Sequence, residues 1–455
     1  MTWLENVIFH NRRIVLAIFL ILTLFMAWQA SHLRIDAGFT KLLPLEHEYM
    51  KTFMKHHESF GGANRVAIAI RAKDGDIFTP EFFQVLKEVT DEVFFLPGVD
   101  RTRVSSLYTP NVRYTEVVED GIAAGNVIPD DFAPTPEGFA TVRRNVLNSV
   151  WMGRLVANDF SSAIVLAELL EVDPSTGKRL DYIDVAGRLE AIRAKYSDHA
   201  VGVDFDYHII GFAKQIGDIA AGAARVVLFF LIAFGITAVF VYVYSQSIKL
   251  TLIVVTGALT AVIWQLGLLT LFGFGIDPMS ILVPFLIFAI AVSHGVQMVS
   301  AYGSEVYEGA DSVTAAKRTF RRLLVPGGAA LLTDTIGFLT ILLIHIRMIQ
   351  EMAITASVGV GVIILTNLVL IPVMVSYTQF DEIYRLRLQR RHAHMDPLWN
   401  RLARVTEPRN AAIVTAVAIL LFAFGWWKGN DVKIGDLHKG VPELRGDSRY
   451  NIDTS

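Results

Sequence analysis

Seven blocks of mostly apolar residues, each close to the length that crosses a bilayer, are the feature that most narrows what this chain can fold into. A membrane core about 30 Å thick needs about 20 apolar residues in helical form, since no backbone N–H or C=O can be left unpaired in hydrocarbon. The blocks are Ile14–Ala30, Arg225–Tyr244, Leu250–Phe272, Pro278–Ser300, Leu324–Ile344, Ala353–Tyr377 and Ala411–Trp427. The first, preceded by Arg12 and Arg13, also has the borderline length and flanks of a cleaved signal peptide. A polar stretch of nearly two hundred residues, from about His32 to Ala224, separates it from the second, and the others follow closely.

Orientation follows from the basic residues, which favour the cytoplasmic side. Lys317, Arg318, Arg321 and Arg322 fall between the fourth and fifth blocks. Arg385, Arg387, Arg390, Arg391, Arg401, Arg404 and Arg409 fall between the sixth and seventh. Gly273–Asp277 carries no basic residue, so an alternating path puts the long polar insert outside. Trp28, Trp426 and Trp427 then sit at outer ends, where aromatic belts form.

Within the insert the pattern changes to alternation and turns. Arg65–Arg71 alternates like a half-buried strand. Thr79 followed by Pro80 and Glu81 opens a helix that Pro97-Gly98 ends, and Val99–Leu107 reads as a second strand. Ser161–Leu169, a helix near Asp181–Tyr196 and Asp204–Ile210 repeat strand–helix–strand. Two such units predict a small α+β sandwich of ferredoxin type. The middle, Val112–Ser149, with a helical pattern at Pro136–Leu147, reads as a cap. The expected fold is an α-helical polytopic membrane bundle with an inserted periplasmic α+β domain.

Trp3–Pro44 and Trp399–Pro442 read alike. Trp3 and Arg13 pair with Trp399 and Arg409, Ile14-Val15 with Ile413-Val414, and Trp28 with Trp427. Leu33-Arg34-Ile35 then pairs with Val432-Lys433-Ile434. A repeat makes the first block a true span, and the sequence is expected to stop as a second external domain begins. The expected divisions are 1–31 (amphipathic start and first span), 32–224 (external domain), 225–377 (spans two to six), 378–410 (basic linker), 411–427 (seventh span) and 428–455 (start of a second external domain).

The chain contains no cysteine, which removes disulfides, thiolate metal sites and cysteine nucleophiles. A formal net charge of -3 gives no reason to expect a nucleic-acid partner. There is no glycine-rich phosphate loop, nucleophile elbow or metal-spaced His/Asp cluster, and adjacent His56 and His57 point apart in a helix. No cofactor, metal or catalytic constellation is expected.

Ionisable groups inside a membrane cost about 2.5–3.5 kcal/mol each and are functional suspects. His294, in the fourth block, and Asp334, in the fifth, are the two such residues, expected at similar depth on antiparallel neighbours. A carboxylate beside an imidazole carries protons well. Gln297 shares a face with His294, and Gln265 and Asn367 are further polar positions whose plainer reading is interhelical hydrogen bonding. Gly327, Gly328, Gly337, Gly359 and Gly361 are expected to let helices approach closely, and Pro284 to kink the fourth span as packing or as a hinge.

The layout resembles the resistance–nodulation–division (RND) transporter superfamily over essentially the whole chain. Leu323–Leu343, with Pro326 and Ile336-Gly337-Phe338, resembles the fifth span of its lipid-exporter branch, which includes the mycobacterial large membrane proteins and the hopanoid or sterol carriers. Pro97-Gly98-Val99 followed by Ser105-Ser106-Leu107 resembles that branch's external domain. The resemblance implies a secondary active transporter, not an enzyme, in a bacterial inner membrane with its large domain in the periplasm. It also implies proton-driven export of hydrophobic molecules, lipids foremost, by a homo-oligomer (trimer or dimer), with membrane lipids and periplasmic carrier proteins as partners. Many members carry an Asp-Tyr pair in the fourth span where this chain has Ser293 and His294, so His294 with Asp334 is expected to replace it. The alternative expectation is a non-transporting, sterol-sensing-type lipid sensor or scaffold.

Overall fold

The computed structural model describes residues 2–34, 41, 44–60, 64–119, 121–170, 172, 177, 180–198, 202, 204–277, 279–379, 384, 396–433, 435, 439–441 and 444–454. Ile35, Ile434 and Pro442, which carry part of the expected repeat, and the basic Arg385, Arg387, Arg390 and Arg391 lie outside the described residues. The chain divides into two compact units. One comprises 1–44 and 226–435, the other 45–225 and 436–455.

In chain order the helices are α1 (Thr2–His10), α2 (Arg12–Ala30), α3 (Glu48–Phe60), α4 (Pro80–Phe94), α5 (Pro136–Leu147), α6 (Tyr182–Ser197) and α7 (Phe212–Ser245). They continue with α8 (Ile248–Leu271), α9 (Val283–Tyr307), α10 (Ser312–Thr340), α11 (Arg347–Leu365), α12 (Ile371–Val375), α13 (Pro408–Gly429) and α14 (Arg449–Thr454). Among the described residues seven helical stretches are long and apolar enough to cross a membrane, one for each predicted block.

In the first unit α8 and α11 form the interior, with two thirds of their most apolar stretch buried, while α2, α7 and α10 turn most of their surface outward. Leu250, Val254, Ala258 and Ala261 of α8 meet Ile287 and Ala291 of α9 and Val360 and Ile363 of α11 in one core. The first span is a member of this bundle. Trp264 Nε1 donates to Thr23 Oγ1 at 2.9 Å, Phe19 stacks on Trp264 at 5.4 Å, and a Cβ on Gly267 would come within 2.6 Å of the Met26 carbonyl oxygen.

The second unit contains the α+β fold. β1 (Arg65–Ala72) lies between β4 (Ser162–Glu168) and β5 (Phe205–Gly211), antiparallel to both, with Ile68 opposite Val165 and Ile209. Alternation puts Val66, Ile68 and Ile70 inside with Phe82, Leu86 and Val89 of α4 and Leu189 of α6. Each fully buried side chain of this kind contributes about 1.5–3 kcal/mol. As predicted, Thr79 caps α4, its Oγ1 accepting from the Phe82 N–H at 3.2 Å, with Pro80 in the first turn.

Val99–Leu107 is not the regular strand its sequence predicts. Arg101–Arg103 forms a 3-10 turn that the Asp100 side chain caps, leaving bridges from Val99 to Leu169 and from Ser105 to Leu166. Those bridges still put the segment beside β4, so the order of a split βαβ sandwich is kept. The middle of the insert contains, besides the predicted α5, a hairpin of β2 (Arg113–Val118) and β3 (Gly121–Asn126). Gly211 joins β5 to α7 with φ +139°, and a Cβ there would come within 2.3 Å of the Arg65 carbonyl oxygen.

The described part of 436–455 completes this unit. β5 is an edge strand, and such an edge leaves backbone groups unpaired unless something covers it. α14 covers it here. Arg449 donates to the Tyr207 carbonyl at 3.0 Å, the Ile209 N–H donates to Asp453 at 3.1 Å, and the Gly211 N–H donates to the Tyr450 hydroxyl at 3.2 Å. Asp453, with a fully buried side chain, also pairs with Arg193 and with His208 Nδ1 at 3.2 Å.

Candidate functional site

His294 lies in α9, half-buried, with Nδ1 3.1 Å from the Ile290 carbonyl oxygen. A carbonyl oxygen only accepts, so Nδ1 carries the proton and Nε2 is left as the basic nitrogen. Ser293 and Gln297, on the same stretch of α9, are exposed. Four residues on from Gly295, Val299 is buried, so α9 has one face in the core and a polar face outside it.

Asp334 is exposed on α10 and does not meet His294: no ion pair or hydrogen bond joins them among the described residues. Their depths also differ. His294 lies 13 residues before the end of α9 at Tyr307, and Asp334 lies 22 residues after the start of α10 at Ser312. At 1.5 Å per residue from the shared turn, and counting again from the far ends, the offset is about 8–13 Å. The expectation of similar depth fails because α10 starts twelve residues ahead of its apolar block, at Ser312 rather than Leu324.

Gln265 and Asn367 are buried in the bundle, at 1% and 0% exposure. Asn367 forms the interhelical bond expected of it, Nδ2 donating to the Ala291 carbonyl at 2.6 Å, within a π-helical turn at Thr366–Leu370. Gln265 does not: neither amide atom has a partner among the described residues. Pro284 stands in the first turn of α9, after a 3-10 turn at Ser280–Leu282, so it starts that helix rather than kinking it. Pro326 is the proline inside α10.

Close approach falls partly on other glycines than those expected. Cβ atoms on Gly359, Gly257 and Gly295 would come within 2.6, 2.9 and 3.0 Å of Ile287, Ile371 and Val254 respectively. Gly327 would come within 3.1 Å of Leu368 and Gly328 within 3.7 Å, whereas Gly337 and Gly361 face open space.

A buried charged cluster at the end opposite the α9–α10 turn was not foreseen. Lys41 Nζ meets Glu351 Oε2 at 2.6 Å, with both side chains under a tenth exposed, and Arg347 meets Glu351 Oε1 at 3.0 Å. Asp277, 2% exposed, accepts from the Met279 and Ser280 N–H groups at 2.8 and 2.7 Å, capping the turn that leads into α9. Its Oδ2 has no partner among the described residues. Burial pushes the Asp277 carboxyl above the usual range, against the opposing pull of its hydrogen bonds and of Lys41.

A carboxyl with a raised native pKa stabilises the fold most below about pH 3.9, and that contribution is lost as pH rises through the native value. Asp277→Asn keeps the acceptor and removes the buried charge. Its unfolding midpoint should match the wild type's in acid and exceed it near neutral pH; a midpoint lowered at both would show that the carboxylate itself is needed.

These features define a multi-pass membrane protein with an inserted α+β domain. The profile of the MMPL family matches residues 184–413, half of the chain, and the chain belongs to that family of membrane transporters. It is also similar to MJ1562, a membrane protein of Methanocaldococcus jannaschii. The two are 21% identical over 376 residues, covering 80% of this chain and 89% of the archaeal protein.

Proposed function

We propose that the chain acts in proton-driven export of hydrophobic molecules, lipids foremost, with the α+β insert on the outer side of a cell membrane and His294 as the proton acceptor. The observation that carries this is the open Nε2 of an imidazole on the polar face of a membrane-spanning helix, its tautomer fixed by the Ile290 carbonyl. An imidazole nitrogen with its lone pair open can accept a proton and pass it on. Each proton moving down a potential of 100 mV supplies about 2.3 kcal/mol, enough to bias a conformational cycle. Asp334, offset along α10, then serves as a separate station on the same path, and Ser293 and Gln297 line the polar face between bulk water and the ring. Lipid cargo rests on the family and on the resemblance to its lipid-exporting branch; homo-oligomeric assembly rests on that resemblance alone.

The test is substrate movement with and without a proton gradient in vesicles containing the protein. His294→Gln should bring gradient-dependent movement to background while membrane insertion and thermal stability stay at wild-type level. Asp334→Asn should slow it with less effect. Wild-type movement in H294Q would refute the relay, and lipid binding without gradient-dependent movement in the wild type would favour a sensor.

A further inference from the structure

α7, α9 and α10 line an open cleft of about 310 Å³ at the end of the bundle that bears the α9–α10 turn. Its polar lining is Tyr244, Gln297, Ser300, Ser304 and Arg322, and no carboxylate is among its residues. Arg322 stands apart from its neighbours. Arg318 reaches Glu305 at 3.2 Å and Arg321 reaches Glu5 at 2.8 Å, but no carboxylate pairs with Arg322 among the described residues. The Tyr244 hydroxyl donates to Ser300 Oγ at 2.8 Å and Ser304 Oγ to the Ser300 carbonyl at 3.3 Å. That leaves the Ser300 hydroxyl hydrogen, the Gln297 amide and the Arg322 guanidinium as donors in one concave site.

The position adds a second constraint. Arg322 immediately precedes the apolar run that starts at Leu323, and is about 15 Å from the start of α10. That is where a spanning helix passes from headgroups to hydrocarbon. The apolar part of the lining, Val296 and Leu323 among it, suits the glycerol and first acyl carbons of a lipid. A free anion would leave that surface uncovered. An arginine fork binds phosphate oxygens bidentately, and a site with one cation and no acid favours a headgroup of net negative charge.

We propose that this cleft holds the phosphate headgroup of an anionic phospholipid in the leaflet on the side of the basic loops, with Arg322 as its principal ligand and Ser300 and Gln297 as supporting donors. The proposal shares Gln297 with the polar face of α9 described above, but its principal ligand, Arg322, has no part in the proton relay.

Native mass spectrometry of the full chain released from micelles containing phosphatidylglycerol tests it. The wild type should retain phosphatidylglycerol, Arg322→Gln about tenfold less, and Arg322→Lys an intermediate amount. Arg318→Gln should retain it as the wild type does, because that guanidinium is paired with Glu305. Diacylglycerol, which lacks the phosphate, should not be retained. Equal retention by R322Q and wild type, or retention of diacylglycerol, would overturn the proposal. So would displacement of phosphatidylglycerol by an equal concentration of inorganic phosphate, which would mark a site for the free anion.

Discussion

Glu351→Ala should destabilise the bundle by about 3–5 kcal/mol, because it removes the carboxylate that the buried Lys41 ammonium meets at 2.6 Å. The two residues are 310 positions apart in sequence and both side chains are nearly inaccessible, so neither can recover solvation by a small movement. Lys41→Met should cost less than Glu351→Ala, since Arg347 still neutralises Glu351. The pair Lys41→Met with Glu351→Leu should recover much of the loss, as buried ion pairs replaced by apolar groups of similar size often do. Arg347→Ala, whose side chain is 65% exposed, should cost no more than about 1 kcal/mol. Thermal unfolding in one detergent, arranged as a double-mutant cycle, separates these contributions. Single-variant losses below about 1 kcal/mol, with no coupling, would show that the ion pair holds nothing together.

Asp453→Ala should have the second large effect, about 3 kcal/mol on the α+β unit. The substitution removes the acceptor of the Ile209 N–H and the main partner of Arg193, whose side chain is 10% exposed. Glu190, 3.4 Å from Arg193, offsets part of the loss. Burial alone pushes the Asp453 carboxyl up, but His208, the Ile209 N–H, Arg193 and Arg449 outweigh it and hold the group below the usual range. Its contribution is therefore present above about pH 3.9 and lost as pH falls through the native value. Hydrogen exchange should show the Ile209 amide protected in the wild type and exposed in the variant, with the wild type approaching the variant in strong acid. An amide equally protected in both would show that α14 does not hold the edge.

The spans were readable from sequence because hydrocarbon forces long apolar runs, and every block has its helix. β1 and the start of α4 were readable for local reasons too: a two-residue alternation, and a capping threonine before a proline. What escaped was set by contacts distant in sequence. Lys41 and Glu351 each look like ordinary flanking charges, and only the fold makes them a buried pair. The β2–β3 hairpin has little alternation to betray it, since both its strands are largely exposed. At the candidate site the sequence identified His294 by its cost in a membrane, but apolar blocks do not mark helix ends, and so the depth of Asp334 was misjudged. Gln265 shows the same limit: its burial was expected, its lack of a partner among the described residues was not.

The covering of β5 by α14 has a consequence for how the protein is made. Gly211 ends the strand, while the residues that close its edge begin past Asp436, with the second to the seventh span between them. At about 5–20 residues per second, synthesis of that intervening chain takes roughly 10–45 s. Throughout that interval the sheet stands with one side unprotected, open to any extended segment that meets it. Biogenesis of this protein should therefore be sensitive to factors that shield strand edges while later helices are still being inserted, and least tolerant of substitutions that slow the arrival of Tyr450 and Asp453.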